Sequence, residues 1–193
     1  MSGRRFGDAA TSFPLAARPR ALHCLSHEQE SGHVTPHIYV DADACPVKDE
    51  VYRVAGRHGL PVTLVANRFM ATPRDETVRL QLVPEGPDAA DDWIAEHVLA
   101  HDVVITADIP LAARALAKGA AAIGTTGKPF TENSIGSALA SRELMSHLRE
   151  TGEITGGPRA FAPKDRSRFL QELELAVQRA KRALAAAAQE AHG

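Results

Sequence analysis

The sequence predicts an α/β protein with a mainly parallel sheet that helices cover on both faces. From His37 onward, short runs rich in β-branched residues alternate with segments whose apolar residues recur at helical spacing. Strands separated by helices pair in parallel, because each crossover returns the chain to the same end of the sheet. With 44% hydrophobic and 24% charged residues among 193, the chain has apolar material for one domain of ordinary size.

Five short strands are predicted, each from an apolar or β-branched run bounded by turn residues. The runs are His37–Asp43, Leu60–Asn67, Val78–Val83, Val103–Thr106 and Ala120–Gly124. The fourth run is apolar almost throughout, which is typical of a strand buried on both faces.

Five helices are predicted, each from apolar residues at helical spacing between start and stop signals. The starts lie at Pro46, Asp88, Pro110, Thr131 and after the Gly156-Gly-Pro turn, and the first four helices end near Gly59, Ala100, Gly119 and Glu150. Proline favours the first helical position, which places two of the caps at Cys45 and Ile109. The last helix carries one apolar face, formed by Phe169, Leu173, Ala176 and Ala180.

The two ends of the chain differ from the central domain, which covers residues 37–184. Residues 1–36 scatter arginines among Ser, Gly, Pro and Ala without periodicity, so we expect a disordered extension. Residues 185–193 are Ala-rich and have little to pack against, so we expect a frayed tail.

Composition excludes several classes of protein. The 22 basic and 24 acidic side chains give a net charge of -2, so a nucleic-acid site has to be a local basic surface. The two cysteines, Cys24 and Cys45, are too few for a disulfide scaffold, and we expect a reducing cytoplasm. No apolar run approaches the roughly 18 residues that cross a bilayer, so no membrane segment is expected.

Acidic residues follow two of the predicted strands, at the edge where parallel sheets bind ligands. Asp41 and Asp43 close the first strand and point to the same side of it, and Asp108 follows the fourth strand. Asp91 lies in the middle of the apolar face of the second helix. It either joins a shared acidic site or, as the third helical residue, bonds back to the cap at Asp88.

Carboxylates that converge on one strand edge repel one another unless a cation neutralises them. Oxygen ligands without Cys or His favour Mg²⁺ or Mn²⁺ over zinc. We therefore predict a metal site formed by Asp41, Asp91 and Asp108, in which Asp43 orients a water or a second ion. Such ions support in-line hydrolysis of phosphodiesters.

Four polar residues near the predicted strand ends are candidates for binding a phosphate or single-stranded RNA. They are Asn67, Thr106, Lys128 and Arg142. The first two are equally plausible as turn residues. The loop with Lys128 is expected to cover the strand ends, and Arg142 belongs to a basic C-terminal portion that is either a solvated surface or a track for the RNA backbone. Cys45, at a predicted helix start where the dipole lowers a thiol pKa, is a further candidate nucleophile.

Several stretches of the chain resemble the YaiI/YqxD family of uncharacterised bacterial proteins. They are Val40-Asp-Ala-Asp-Ala-Cys-Pro46, Val65-Ala-Asn67, Asp88-Ala-Ala-Asp-Asp-Trp93, Val104-Ile-Thr-Ala-Asp-Ile-Pro-Leu-Ala112 and Thr155-Gly-Gly-Pro158. The resemblance runs from about Ile38 to about Leu173. It implies a PIN-like three-layer α/β/α sandwich and, by analogy, a divalent-metal-dependent ribonuclease site.

The resemblance also assigns acids of the PIN site to this chain. The first-strand acid corresponds to Asp41, the mid-chain helix acid to Asp91 and the late strand-end acid to Asp108. A fourth acid has no clear counterpart, and Asp43 would substitute for it.

Three functions are therefore open at this point: the ribonuclease, a non-catalytic PIN-like module that binds RNA or a protein, and a phosphatase of haloacid dehalogenase type with Asp41 as nucleophile. Fold analogy alone does not choose among them.

Overall fold

The fold is a six-stranded sheet with five helices, seen in a computed structural model that describes residues 35–150 and 161–190 apart from 44 and 87. The strands are β1 (Ile38–Asp41), β2 (Val62–Ala66), β3 (Val78–Leu82), β4 (Val103–Ile105), β5 (Ala121–Ile123) and β6 (Pro129–Phe130). The helices are α1 (Lys48–His58), α2 (Ala89–His97), α3 (Ile109–Ala117), α4 (Glu132–Glu150) and α5 (Pro163–Glu190).

The strands lie in the order β3-β2-β1-β4-β5-β6. All neighbours pair in parallel except β5 and β6, which form an antiparallel hairpin. The chain passes from β1 through β2 to β3 on one side of β1, and then returns to the other side of β1 with β4. The direction of strand order therefore reverses between β1 and β4. This reversal is a topological switch point, where open α/β sheets leave a crevice.

Helices cover both faces of the sheet, as the alternation of side chains along β1 requires. Ile38 and Val40 belong to a core shared with α1 and α5, which contains the fully buried Phe169. Tyr39 belongs to the opposite core, which is shared with α2 and α3. The predicted three-layer α/β/α sandwich with a mainly parallel sheet is therefore confirmed.

Two features of the sheet and helices differ from the sequence prediction. The strand β6 was expected as loop, because two residues beginning with Pro129 carry no strand periodicity. The helix α2 ends at His97 and not at Ala100, since Val98 adopts an extended backbone conformation.

The predicted caps at Cys45 and Ile109 are wrong. The first helix begins at Lys48 with Val47 as its cap, and α3 begins at Ile109 with Asp108 as its cap. Pro110 is thus the second helical residue, a position that also lacks an intrahelical partner for its nitrogen.

The hairpin between β5 and β6 packs against the start of α5. Gly127 adopts a left-handed conformation with φ of 74°. A methyl group at this position would lie 2.4 Å from the backbone nitrogen of Phe169. Glycine is therefore what allows the hairpin to approach α5 so closely.

Most of the N-terminal extension lies outside the described part of the chain, whereas residues 185–190 of the tail belong to α5. The extension over 1–36 falls outside the described part up to residue 34, as do 191–193 of the tail and the Thr155-Gly-Gly-Pro158 stretch. Disorder, fraying and cytoplasmic location stay predictions. Among the described helices, none is both long and apolar enough to cross a membrane.

Candidate functional site

The acidic residues predicted from strand ends meet at the switch point. Asp41 is the last residue of β1, and Asp108 follows the neighbouring strand β4. Along β1, Asp41 shares the face of Tyr39, which packs towards α2 and α3. We call Asp41, Asp91 and Asp108 the carboxylate cluster.

A buried threonine joins the ends of β1 and β4. The hydroxyl of Thr106 donates to Oδ2 of Asp41 at 3.1 Å and accepts from the backbone N–H of Asp108 at 2.9 Å. Thr106 is fully buried. Its hydroxyl is used within the protein, where it orients the carboxylate of Asp41 and holds the backbone of Asp108.

Asp108 caps helix α3 as well as belonging to the cluster. Its Oδ2 accepts from the N–H of Leu111 at 3.0 Å, and its Oδ1 accepts from Nη2 of Arg142 at 3.2 Å. The expectation that Asp108 precedes the cap is therefore wrong. Asp108 can cap α3 and also belong to the cluster, because the cap bond uses only its Oδ2.

Asp91 is the third residue of α2 and is half-buried, whereas Asp92 and Glu96 on the same helix are exposed. This is the inward orientation that the helical pattern predicts. The alternative that Asp91 bonds back to Asp88 has no hydrogen bond to support it in the described residues. Asp88 itself caps α2 in a left-handed conformation and makes no side-chain bond to the helix.

The three carboxylates act on one another electrostatically. Burial, followed by the charges of Asp108 and Asp41, raises the pKa of Asp91 from 3.8 to about 6. Burial also raises the pKa of Asp41, where the charges of Asp43 and Asp108 act in the same direction against the hydrogen bond from Thr106. Like charges within reach of one another disfavour ionisation, which a bound cation would reverse.

The raised pKa of Asp91 predicts a pH dependence of stability. The folded state holds this proton more tightly than the unfolded state, so the contribution is fully present below about pH 4 and is lost as pH rises through about 6. Asp91→Asn lacks this titration. At pH 7 it should be more stable than the parent by about 1 kcal/mol, because partial exposure screens the full effect.

Urea unfolding of both proteins at several pH values between 4 and 7 measures this difference. Asp92→Asn is the matched control, since Asp92 is exposed on the same helix and pairs with Arg114 at 2.7 Å. The control should follow the pH dependence of the parent. A curve for Asp91→Asn that also runs parallel to the parent would contradict the prediction.

All the donors of the carboxylate cluster are carboxylate oxygens, the kind of ligand that Mg²⁺ and Mn²⁺ prefer. In the described part of the chain, no three Asp, Glu, His or Cys side chains lie close enough together to hold a metal ion as they stand. The three carboxylates are nevertheless within electrostatic reach of one another.

Asp43 and Asn67 meet beside the cluster. The backbone N–H of Asn67 donates to Oδ2 of Asp43 at 3.1 Å, and the side chain of Asn67 accepts from Nε of Arg68 at 3.4 Å. Asp43 is exposed, so its second oxygen faces solvent in the crevice region. Lys128 is exposed in the turn of the β5–β6 hairpin, at the carboxyl end of β5.

Cys45 is not suited to nucleophilic catalysis. Its side chain is buried, and burial raises the pKa of the thiol to about 11. The helix dipole does not offset this, because α1 begins three residues later. The sequence places no histidine to activate this thiol, and its burial in the structure argues in the same direction.

Sequence reasoning missed a buried ion pair on the other face of the sheet. Glu50 of α1 is 1% exposed, and its Oε1 accepts from Nη1 of Arg166 at 2.8 Å. A signal was present, since Glu50 lies at helical spacing from Val47 and Val54 on the apolar face. The exposed Phe69, which follows β2, was also missed.

Fold and site define a three-layer α/β protein with a carboxylate cluster at the switch point of its sheet. The family described as "Uncharacterized BCR, YaiI/YqxD family" matches residues 39–179. The chain therefore belongs to the YaiI/YqxD family.

Similar proteins cover the same region. A UPF0178 protein of Rhodopseudomonas palustris strain TIE-1 is 62% identical over 149 residues, which is 77% of this chain and 94% of the relative. One of Rhodospirillum rubrum is 62% identical over 146 residues, 75% of this chain and 97% of the relative. One of Parvibaculum lavamentivorans is 61% identical over 145 residues, 75% and 95% respectively. No solved structure matches the chain significantly.

Proposed function

We propose that this protein is a divalent-metal-dependent ribonuclease that hydrolyses phosphodiester bonds in single-stranded RNA. The observation that carries the proposal is the meeting of Asp41, Asp91 and Asp108, from three different elements, at the switch point. Like charges brought together at half-buried positions are unfavourable for folding, so a cluster of this kind is typical of a functional site. The resemblance to PIN-like domains, in which acids follow the strands, supports the same reaction class by analogy.

The residues of the cluster would hold Mg²⁺ or Mn²⁺. Such an ion, when bound, polarises a phosphoryl oxygen and makes a coordinated water acidic enough to attack. Thr106 would keep the carboxylate of Asp41 in one orientation and hold the backbone of Asp108 beside it. Asp43, with one oxygen held by Asn67 and the other facing solvent, orients the attacking water on the open side of the cluster.

Two basic residues would contact the RNA backbone. Arg142 is 54% exposed in its side chain and pairs with Asp108. A phosphate near the cluster would compete for this guanidinium, since arginine binds phosphate and carboxylate through the same fork of donors. Lys128 would contact a neighbouring phosphate. Binding should therefore weaken as salt concentration rises.

Asp108→Asn tests the proposal with little damage to the fold. Asparagine is as good a helix cap as aspartate, so the variant keeps the cap on α3 but removes one charge of the cluster. We expect Mn²⁺ to raise the melting temperature of the parent and to leave that of Asp108→Asn unchanged, because binding to the folded state stabilises by mass action. Without metal the variant should match or exceed the parent in stability, since repulsion is relieved.

Cleavage of a labelled single-stranded RNA in Mg²⁺ or Mn²⁺ is the second readout. Asp41→Asn and Asp108→Asn should each lose about two orders of magnitude in rate or more. Asp92→Asn, prepared by the same purification, is the matched control and should cleave like the parent. Equal cleavage by Asp41→Asn and the parent would assign the activity to a contaminant and refute the proposal.

A non-catalytic binding module is the second candidate. The observation that favours it is that both oxygens of Asp108 already accept hydrogen bonds, from Leu111 and Arg142. RNA binding without cleavage in either metal would support this candidate. Trapping of a covalent aspartyl phosphate on Asp41 would instead support the phosphatase.

A further inference from the structure

Phe69 is held outside the apolar cores although its neighbours in the chain are anchored. Its side chain is 82% exposed, compared with 58% for Leu144, which is also exposed. It lies in the loop that follows β2, two residues after Asn67. The strand β2 neighbours β1, so this loop leaves the sheet at the same edge as Asp41.

The loop is fixed on both sides of Phe69. Before it, the N–H of Asn67 donates to Asp43 at 3.1 Å. After it, Met70 is half-buried and packs against the core shared with α1 and α5. The ring therefore projects into solvent from an anchored backbone and lies next to the loop that carries Asp43.

A single exposed apolar side chain is ordinary on a protein surface. Two features distinguish this one: it follows β2 at the edge of the sheet where β1 ends in Asp41, and it has basic residues near it. Arg68 is exposed next to it. Lys48, whose Nζ donates to the carbonyl of Ala42 at 3.0 Å, adds a second positive charge to the neighbouring loop. Further along the loop, the carboxylate of Asp75 is engaged by Thr77.

We propose that Phe69 is a stacking platform for one unpaired base of the RNA, with Arg68 contacting the adjoining phosphate. This inference rests on the proposed ribonuclease and identifies its substrate as single-stranded. An exposed aromatic ring beside a cation is the arrangement that binds single strands, because every base has a face to stack. In a duplex both faces of each base are already stacked, so Phe69 selects against duplex RNA.

Binding in the absence of divalent metal tests this proposal independently of cleavage. Fluorescence anisotropy of a labelled oligouridine is measured with the full chain at fixed salt concentration. Phe69→Ala should raise the Kd about tenfold, in line with the loss of one stacked base. Phe69→Trp should bind within about twofold of the parent, since its larger ring also stacks. Leu144→Ala is the matched control for an exposed apolar side chain and should leave the Kd unchanged.

A fluorescence measurement adds a direct readout of stacking. The chain has one tryptophan, Trp93. In Phe69→Trp, the added emission should be quenched by oligouridine, whereas the emission of the parent should change little. Because Phe69 is exposed, all three variants should melt within a degree or two of the parent.

The possible outcomes separate the two proposals. Undiminished binding by Phe69→Ala, with cleavage by the parent intact, would overturn the stacking platform and leave the ribonuclease standing. Equal affinity of the parent for duplex and single strand, equally reduced in Phe69→Ala, would overturn the single-strand selectivity. Absence of both binding and cleavage in the parent would overturn both proposals. A change in self-association alone would make Phe69 a protein contact and overturn the platform.

Discussion

Arg166→Ala should destabilise the protein by about 3 kcal/mol, because it leaves the buried carboxylate of Glu50 without a counter-charge. The side chain of Glu50 is 2% exposed, against 48% for Arg166. In the described part of the chain, Arg166 donates to Oε1 of Glu50, and the second oxygen, Oε2, has no hydrogen-bond partner. Arg166 also lies 5.8 Å from the centroid of the Phe161 ring.

A double-mutant cycle separates the buried charge from lost packing. Glu50→Gln in the Arg166→Ala background should recover more than half of the loss, since the amide is neutral. Urea unfolding of the four proteins gives the coupling energy. If the losses of stability in the two single variants simply add up in the double variant, Glu50 and Arg166 do not interact as a buried ion pair.

Gly127→Ala should cost about 3 kcal/mol or more, for two separate reasons. A left-handed conformation costs a residue with a side chain about 1–2 kcal/mol. The added methyl group would also lie 2.4 Å from the nitrogen of Phe169 and 2.6 Å from the carbonyl carbon of Arg168. These are backbone atoms of a long helix, so the hairpin has to move away from α5, at the cost of overpacking, about 1–3 kcal/mol.

Gly136→Ala is the opposite case and serves as the control. Gly136 lies inside α4, and a methyl group there meets no atom within 4 Å. The substitution should stabilise the protein by about 0.5–1 kcal/mol through helix propensity. Thermal or urea unfolding measures both variants. Equal effects of the two substitutions would show that the contact with α5 is not what requires glycine at position 127.

The sheet was predictable because its strands are short apolar runs separated by helices, a pattern that leaves few topologies. Five strands were found from this pattern. The strand β6 was not, because its pairing is set by the turn around Gly127 and not by its own two residues. Two helix starts were misplaced by one or two residues, since Pro110 is the second residue of α3 and Pro46 lies before the cap of α1.

The acids of the site were predictable because strand ends of a parallel sheet meet at one edge. The hydrogen bonds and the ion pair that these acids make were not predictable. Thr106 is indistinguishable from a turn residue until β1 and β4 are paired, and Arg142 reaches Asp108 from a helix that begins 24 residues later in the chain. The exposure of Phe69 depends on the packing of Met70 against the core, which the periodicity of the sequence does not reveal.

The β5–β6 hairpin forms one edge of the sheet and so affects whether copies of the molecule associate through their edge strands. An outer strand offers unpaired backbone groups to any neighbouring chain, and this is a common start of aggregation. At one border, β6 is two residues long and begins with Pro129, which has no N–H to donate. At the other, the outer strand β3 carries the exposed, charged Arg79. Both edge strands therefore disfavour pairing with a strand of a second molecule, which should limit aggregation at high concentration.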